Sequence, residues 1–262
     1  MATVADILQF VETLAPRSMK MDWDNVGLNV GRRDKEVKKI LVALDPFAHV
    51  CREAKDFGAD LLLTHHVLIF RPGFVTDATP QGQNTLFLIE NGIAHINAHT
   101  NLDLAPEGVN HCLAAALDLA DVSVVQPMGV DELGRPWGLL RSGTVPEQSL
   151  EHFLDHVKQR LGCPGLRFAD AGKPVHKVAV GGGSCCDEMQ EAVEAGCDTF
   201  VTADAKYNDF WDAYDLGLNL IDAGHFYTEN PVIPYLAAEV AARFPEITVK
   251  ISESHHDCMK FY

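Results

Sequence analysis

Residues 39–66 read KILVALDPFAHVCREAKDFGADLLLTHH, and residues 177–204 read KVAVGGGSCCDEMQEAVEAGCDTFVTAD. Laid over each other at a constant offset of 138, the two stretches align without a gap. They share Lys39/Lys177, Val42/Val180, Glu53/Glu191, Ala54/Ala192, Gly58/Gly196, Asp60/Asp198 and Thr64/Thr202. Seven identities in 28 positions is several times the roughly one in sixteen that average composition gives by chance. Each stretch opens on a short apolar run, passes through a helix-forming segment stopped by glycine, and returns to a second apolar run. The likeness resumes at an offset of 125, where Gly92-Ile93 and Ile96-Asn97-Ala98 fall on Gly217-Leu218 and Ile221-Asp222-Ala223. The chain reads as two copies of one β-α-β-α-β unit.

Strands alternating with helices predict an α/β fold with mostly parallel pairing. Val4, Ile7, Leu8, Val11 and Leu14 have helical spacing behind a Thr3 N-cap and before Pro16. Further helices are expected over 50–57, 82–90, 109–119 and 147–161, with strands at 39–44, 60–64 and 93–97. The stretch Gln126–Thr144 is richer in Gly and Pro and breaks this rhythm. The expected organisation is a first α/β domain of residues 1–126 plus 230–262, and a second, 127–229, that repeats it.

Composition narrows the function. The 262 residues are 47% apolar and 22% charged, an ordinary globular mixture. The formal charge of −16 disfavours nucleic-acid backbones and anionic membranes as partners. No apolar run reaches the ~18–20 residues of a membrane span, and the amino terminus lacks the basic region of an export signal. Seven cysteines, odd in number and without a CxxC pair, read as reduced thiols. A soluble, cytoplasmic protein is the expectation.

The chemistry-bearing residues gather at predicted strand ends. Thr64-His65-His66 closes one strand, and His99 and Asp103 follow a second. His225 and Glu229 follow a third, which the repeat makes the counterpart of the second. An adjacent pair of histidines after an apolar run reads either as a hydrogen-bonded core pair or as metal ligands at a strand just ending. Four imidazoles and two carboxylates at three strand ends favour the second reading, since ligands in α/β sheets gather outside carboxyl strand ends. Imidazole and carboxylate donors suit Zn, Mn, Fe or Ni, and the count suits two ions sharing a carboxylate.

With these residues in place the sequence resembles, over essentially its whole length, the Nif-three-like dinuclear-metal hexameric proteins, also known as GTP cyclohydrolase 1 type 2 homologues. The resemblance is carried by Trp23-Asp24-Asn25-Val26-Gly27-Leu28, Thr64-His65-His66, His99-Thr100-Asn101-Leu102-Asp103, Gly196-Cys197-Asp198 through Thr202, and Asp222-Ala223-Gly224-His225 with Thr228-Glu229. It implies two α/β domains around a metal-binding cleft, and assembly into a homohexamer. It implies two divalent ions per chain on His65, His66, Asp103, His225 and Glu229, with Glu229 bridging. His99 is then a further ligand, a residue behind the ligands, or the group that handles a proton. Val67 stands where the family usually has proline, and Ala203 and Cys185 stand where it favours glycine. These departures touch loop shape and leave the ligand set intact.

The function these features predict is metal-dependent hydrolysis of a small, nucleotide-like substrate. The alternative is a non-catalytic metal-binding or regulatory scaffold. Gly181-Gly182-Gly183-Ser184 reads as an anion cradle or as a tight strand-to-helix turn. Trp23-Asp24-Asn25 reads as a hydrogen-bonded turn or as part of the site's lining. His255 and His256 read as an extra metal site or a solvated tail, and Lys206 and Tyr207 as phosphate contacts or plain surface.

Overall fold

The computed structural model describes residues 1–71 and 73–262. In chain order its elements are α1 (Val4–Leu14), β1 (Gly27–Val30), β2 (Lys39–Ala43), α2 (Ala48–Phe57), β3 (Leu61–Thr64), α3 (Pro80–Glu90), β4 (Ala94–Asn97) and α4 (Thr100–Leu104). There follow α5 (Val109–Ala116), β5 (Ala120–Val124), β6 (Gly129–Val130), β7 (Pro136–Trp137), β8 (Arg141–Gln148), α6 (Leu150–Leu161), β9 (Arg167–Ala169) and β10 (Val175–Val180). Last come α7 (Met189–Glu194), β11 (Thr199–Thr202), α8 (Tyr207–Leu216), β12 (Asn219–Asp222), α9 (His225–Glu229), α10 (Val232–Arg243) and β13 (Thr248–Ile251). No helix among the described residues is long and apolar enough to cross a membrane.

Backbone contacts divide the chain into two compact units, Met1–Leu102 with Ile233–His256, and Asp103–Val232 with Asp257–Tyr262. Residues 103–126, grouped with the first domain on sequence, lie in the second unit. The physical reason is pairing: β5 is hydrogen-bonded antiparallel to β8, and α5 packs on that strand.

The first unit holds a five-stranded sheet of order β1-β4-β3-β2-β13. Its central strands β2, β3 and β4 are parallel, and β1 closes one edge antiparallel to β4. Ile40, Leu41, Val42 and Ala43 on β2, and Leu61, Leu62 and Leu63 on β3, have no solvent exposure. That is why these strands read as continuous apolar runs and not as alternating ones. Leu41, Leu62, Val50, Ala54 and Leu88 belong to one core that joins β2, β3, α2 and α3. The α1 helix begins where the sequence places it. Thr3 Oγ1 accepts the Asp6 N–H and the Asp6 carboxylate accepts the Thr3 N–H, a capping box.

The second unit holds a six-stranded sheet of order β5-β8-β10-β11-β12-β9, with β10, β11 and β12 parallel and the others antiparallel. The stretch that broke the rhythm contains the small β6–β7 hairpin and the start of β8. One core of this unit packs Phe153 and Val157 of α6 on Val178, Val180, Val201 and Ile221.

The sequence offsets are also the structural ones. Ile40 pairs with Leu61 on β2–β3, and Val178 with Thr199 on β10–β11. Leu61 pairs with Ala94, and Thr199 with Asn219. Asp60 Oδ2 accepts the N–H groups of Lys38 and Lys39 at 2.8 and 3.1 Å. Asp198 Oδ2 accepts those of His176 and Lys177 at 3.0 and 2.7 Å. Gly58 and Gly196, just past α2 and α7, both take a left-handed φ, +73° and +75°, which only glycine adopts without strain.

Candidate metal centre

In the first unit β3 ends at Thr64, whose Oγ1 donates to the His66 carbonyl at 2.6 Å. Beyond the strand end the alternation of side chains lapses, so two consecutive residues can turn the same way. The rings of His65 and His66 lie 4.9 Å apart, and that of His99 lies 5.3 and 5.6 Å from them. One ring nitrogen from each falls within 4.8 Å of the other two, a spacing that could hold a metal ion.

Each of these imidazoles is committed at Nδ1. His65 is buried, with Nδ1 2.8 Å from the Ala98 carbonyl oxygen. His66 Nδ1 lies 2.6 Å from Asp45 Oδ1. His99 Nδ1 lies 3.0 Å from both carboxylate oxygens of Asp24. A carbonyl or carboxylate oxygen only accepts, so Nδ1 carries the proton in all three, and in the neutral ring Nε2 carries the lone pair that binds metal. Such an outer partner is what orients a metal-ligating histidine.

Asp24 is itself over-determined. The Thr100 N–H and Oγ1 donate to its Oδ2 at 3.0 and 2.5 Å. Burial pushes its carboxyl upward, but the hydrogen bonds from His99 and Thr100 outweigh burial and hold it at about 2. Trp23-Asp24-Asn25 is therefore both a turn and a support of the cluster. His95, on β4 beside β3, is a core histidine, pushed down to about 3 by burial and paired through Nε2 with Thr64 Oγ1.

In the second unit α9 carries His225 as its first residue and Glu229 as its last. One turn of helix brings His225 Nε2 within 3.1 Å of Glu229 Oε2. His225 Nδ1 lies 2.7 Å from Asp204 Oδ2, so this ring too is oriented by a carboxylate. Carboxylate oxygens of Asp103 and Glu229 lie within 4.8 Å of each other. The Cys185 thiol is pushed well above its ordinary range by burial first, then by the negative charges of Asp103 and Glu229. Its Sγ donates to the Gly182 carbonyl at 3.2 Å.

Gly181–Ser184 is a packing turn. The Gly182 N–H donates to Asn110 Oδ1 at 2.6 Å and the Gly183 N–H to Thr228 Oγ1 at 3.0 Å. With those donors engaged the loop does not cradle an anion. Gly183 has φ +67°, and a Cβ there would collide with the Glu229 carboxylate. Glycine is needed for the close approach of this loop to α9.

The equivalence of the second and third strand ends carries a one-residue displacement. At the offset of 125, α4 (Thr100–Leu104) aligns in sequence with α9 (His225–Glu229), so His99 corresponds to Gly224 and Glu229 to Leu104. His225 is a helical residue, whereas His99 precedes its helix. At the offset of 138, His66 corresponds to Asp204 and His65 to Ala203. Asp204, at φ +56°, takes a left-handed conformation that aspartate tolerates.

Sequence reasoning passed over Asp45 and Asp204. Asp45 follows Leu44 directly at the end of β2, and Asp204 occupies the repeat position of His66, so strand-end logic applied to every strand finds both. His255 Nδ1 accepts the Leu44 N–H at 3.3 Å, and His256 Nδ1 donates to the Ser254 carbonyl at 2.6 Å. Neither joins a group of three metal-competent donors among the described residues. Tyr207 is exposed, as is Lys206.

The family model for Duf34/NIF3 (NGG1p interacting factor 3) matches residues 2–258. A Clostridium perfringens (strain 13 / Type A) protein named GTP cyclohydrolase 1 type 2 homolog is 36% identical over 262 residues, covering 98% of each chain. A Clostridium acetobutylicum protein of the same name is 32% identical over 270 residues, again covering 98% of each. Among solved structures, a Bacillus cereus protein related to NIF3 superposes with a TM-score of 0.93 at 25% identity, covering 100% of this chain and 99% of its own.

Proposed function

Because this chain belongs to the Duf34/NIF3 family, we propose that it binds two divalent metal ions and hydrolyses a small, nucleotide-like substrate. The ligands in this reading are His65, His66, Asp103, His225 and Glu229, with Glu229 as the shared carboxylate. The observation that carries it is the commitment of all three ligand imidazoles at Nδ1 to an oxygen acceptor: Ala98 for His65, Asp45 for His66 and Asp204 for His225. An oxygen partner at the other ring nitrogen, which fixes tautomer and ring orientation, is what a metal-ligating histidine regularly has. Imidazole and carboxylate donors without thiolate accept Zn, Mn, Fe or Ni.

When bound, the ions supply Lewis acidity, which activates water near neutral pH and polarises the attacked centre. The chain's own residues do the rest. His99, anchored through Nδ1 to Asp24, presents Nε2 to take up or deliver a proton. Asp45 and Asp204 hold the rings of His66 and His225 in place. A cationic centre also lets an anionic substrate approach a chain of charge −16. The relatives' shared name, GTP cyclohydrolase 1 type 2 homolog, supports a purine nucleotide as the first substrate to try. We place the protein in the cytoplasm, where all seven cysteines, free in this structure, stay reduced, and we take its assembly to be a homohexamer.

The test is metal content per chain by mass spectrometry beside turnover of GTP with and without chelator. Two ions in the parent, fewer in His66→Ala, and chelator-sensitive turnover are expected. Metal retained without turnover of any nucleotide would favour a metal-binding scaffold, and absence of metal would remove the reading altogether. Light scattering on the same sample should give six copies of the 28.7 kDa chain.

A further inference from the structure

Two large aromatic side chains of the first unit stand in solvent beside the three-histidine cluster. Trp23 is 59% exposed and Phe70 40% exposed. Their ring centroids lie 5.5 Å apart at an interplanar angle of 38°, so they form one continuous wall. His99 meets both edge-on, 6.2 Å from Trp23 at 71° and 6.4 Å from Phe70 at 72°. A body lying on this wall is therefore within reach of His99.

The wall is held from behind. Met21 N–H donates to Thr100 Oγ1 and Asp24 N–H to the Met21 carbonyl, at 3.0 Å each, fixing the turn that carries Trp23. Asn25 Nδ2 donates to the Ile69 carbonyl at 2.6 Å, and the Ile69 N–H donates to Asn29 Oδ1 at 3.2 Å. These bonds tie the residue preceding Phe70 to the segment that follows Trp23. Exposed tryptophan on a pinned backbone costs hydrophobic free energy in the unliganded protein and loses little entropy when it is covered. Aromatic faces in that state suit a planar ring, whose π-system stacks whatever its edge chemistry.

We propose that Trp23 and Phe70 form the stacking platform for the planar heteroaromatic ring of the substrate, placing the rest of that molecule at His65, His66 and His99. This inference rests on the metal-hydrolase reading for what happens to the ligand, but the platform is measurable by binding alone.

The probes are guanosine, GTP and inorganic tripolyphosphate, titrated by calorimetry into the metal-loaded full-length protein and into Trp23→Leu, Trp23→Phe and Phe70→Leu. Trp23→Leu and Phe70→Leu are expected to weaken guanosine and GTP about 5- to 100-fold, the range that stacking on one aromatic supplies. Trp23→Phe should restore most of the loss, and tripolyphosphate affinity and metal content should not move. Guanosine that fails to bind the parent, or binds parent and leucine variants alike, overturns the proposal. So does a change in assembly size in Trp23→Leu with guanosine affinity retained, since a second copy would then be what covers the wall. If GTP turnover ignores chelator while the ring-selective loss persists, the hydrolase reading fails and the platform stands.

Discussion

Asp45 Oδ1 lies 2.6 Å from His66 Nδ1, joining the end of one strand to the end of the next, 21 residues away. The carboxylate fixes which nitrogen of His66 is protonated and which way the ring faces. Asp45→Ala should weaken metal binding about 10- to 100-fold, the usual consequence of deleting a partner behind a ligating histidine. Asp45→Asn, which can still accept through Oδ1, should lie between. Unchanged metal affinity in Asp45→Ala would mean that His66 is not a ligand.

Asp24 makes stability depend on pH in acid. Its carboxyl falls from the ordinary 3.8 to about 2 in the folded chain. A lowered folded value gives stabilisation that is complete above the unfolded value and lost as pH falls through 4 toward 2. Nearly two units correspond to about 2 kcal/mol. Urea midpoints of the metal-free parent and Asp24→Asn should differ most above pH 4 and converge toward pH 2. Parallel curves would show that His99 and Thr100 do not hold that carboxylate.

Gly183 and Gly196 both occupy left-handed backbone, at φ +67° and +75°. An alanine Cβ meets the Glu229 carboxylate at Gly183 and nothing within 4 Å at Gly196. Both substitutions should cost about 1–2 kcal/mol of backbone strain. Only Gly183→Ala should also reduce metal content, because only there must Glu229 move. Equal metal content in the two variants would detach the loop from the site.

Asp60 and Asp198 perform the same task in the two copies, each accepting two backbone N–H groups through one oxygen. Removing either leaves two amide donors to find new partners. Asp60→Ala and Asp198→Ala should each destabilise by about 1.5–3 kcal/mol, with metal content unaffected. A large inequality between them would mean that the shared hydrogen bonds are not what keeps these acids in place.

Much of the fold was legible. The α1 helix lies where its apolar spacing and Thr3 place it, and α2 stops at Gly58 for the reason the sequence gives. The parallel core strands β2 and β3 announce themselves because burial on both faces demands continuous apolar residues, whereas β10, β11 and β12 are reached through the repeat. The flanking strands β1, β5, β8 and β9 do not. β5, for example, is mostly exposed, and nothing in Ala-Asp-Val-Ser-Val marks it as a strand until β8 supplies its hydrogen-bond partners. By backbone contacts residues 103–126 group with the second unit through that same pairing of β5 with β8.

The sequence alone determined the candidate donors: four histidines and two acids at strand ends, in a chain that repeats its own β-α-β pattern at offsets of 138 and 125. Periodicity and residue type are properties of consecutive residues, so they survive without a structure. The tertiary structure decided which nitrogen of each imidazole is spoken for. His99 and Asp24 are 75 residues apart and His65 and Ala98 are 33 apart. Their bonds exist only after the intervening chain has folded, because a hydrogen bond needs its partner within about 3 Å and no local pattern encodes that meeting.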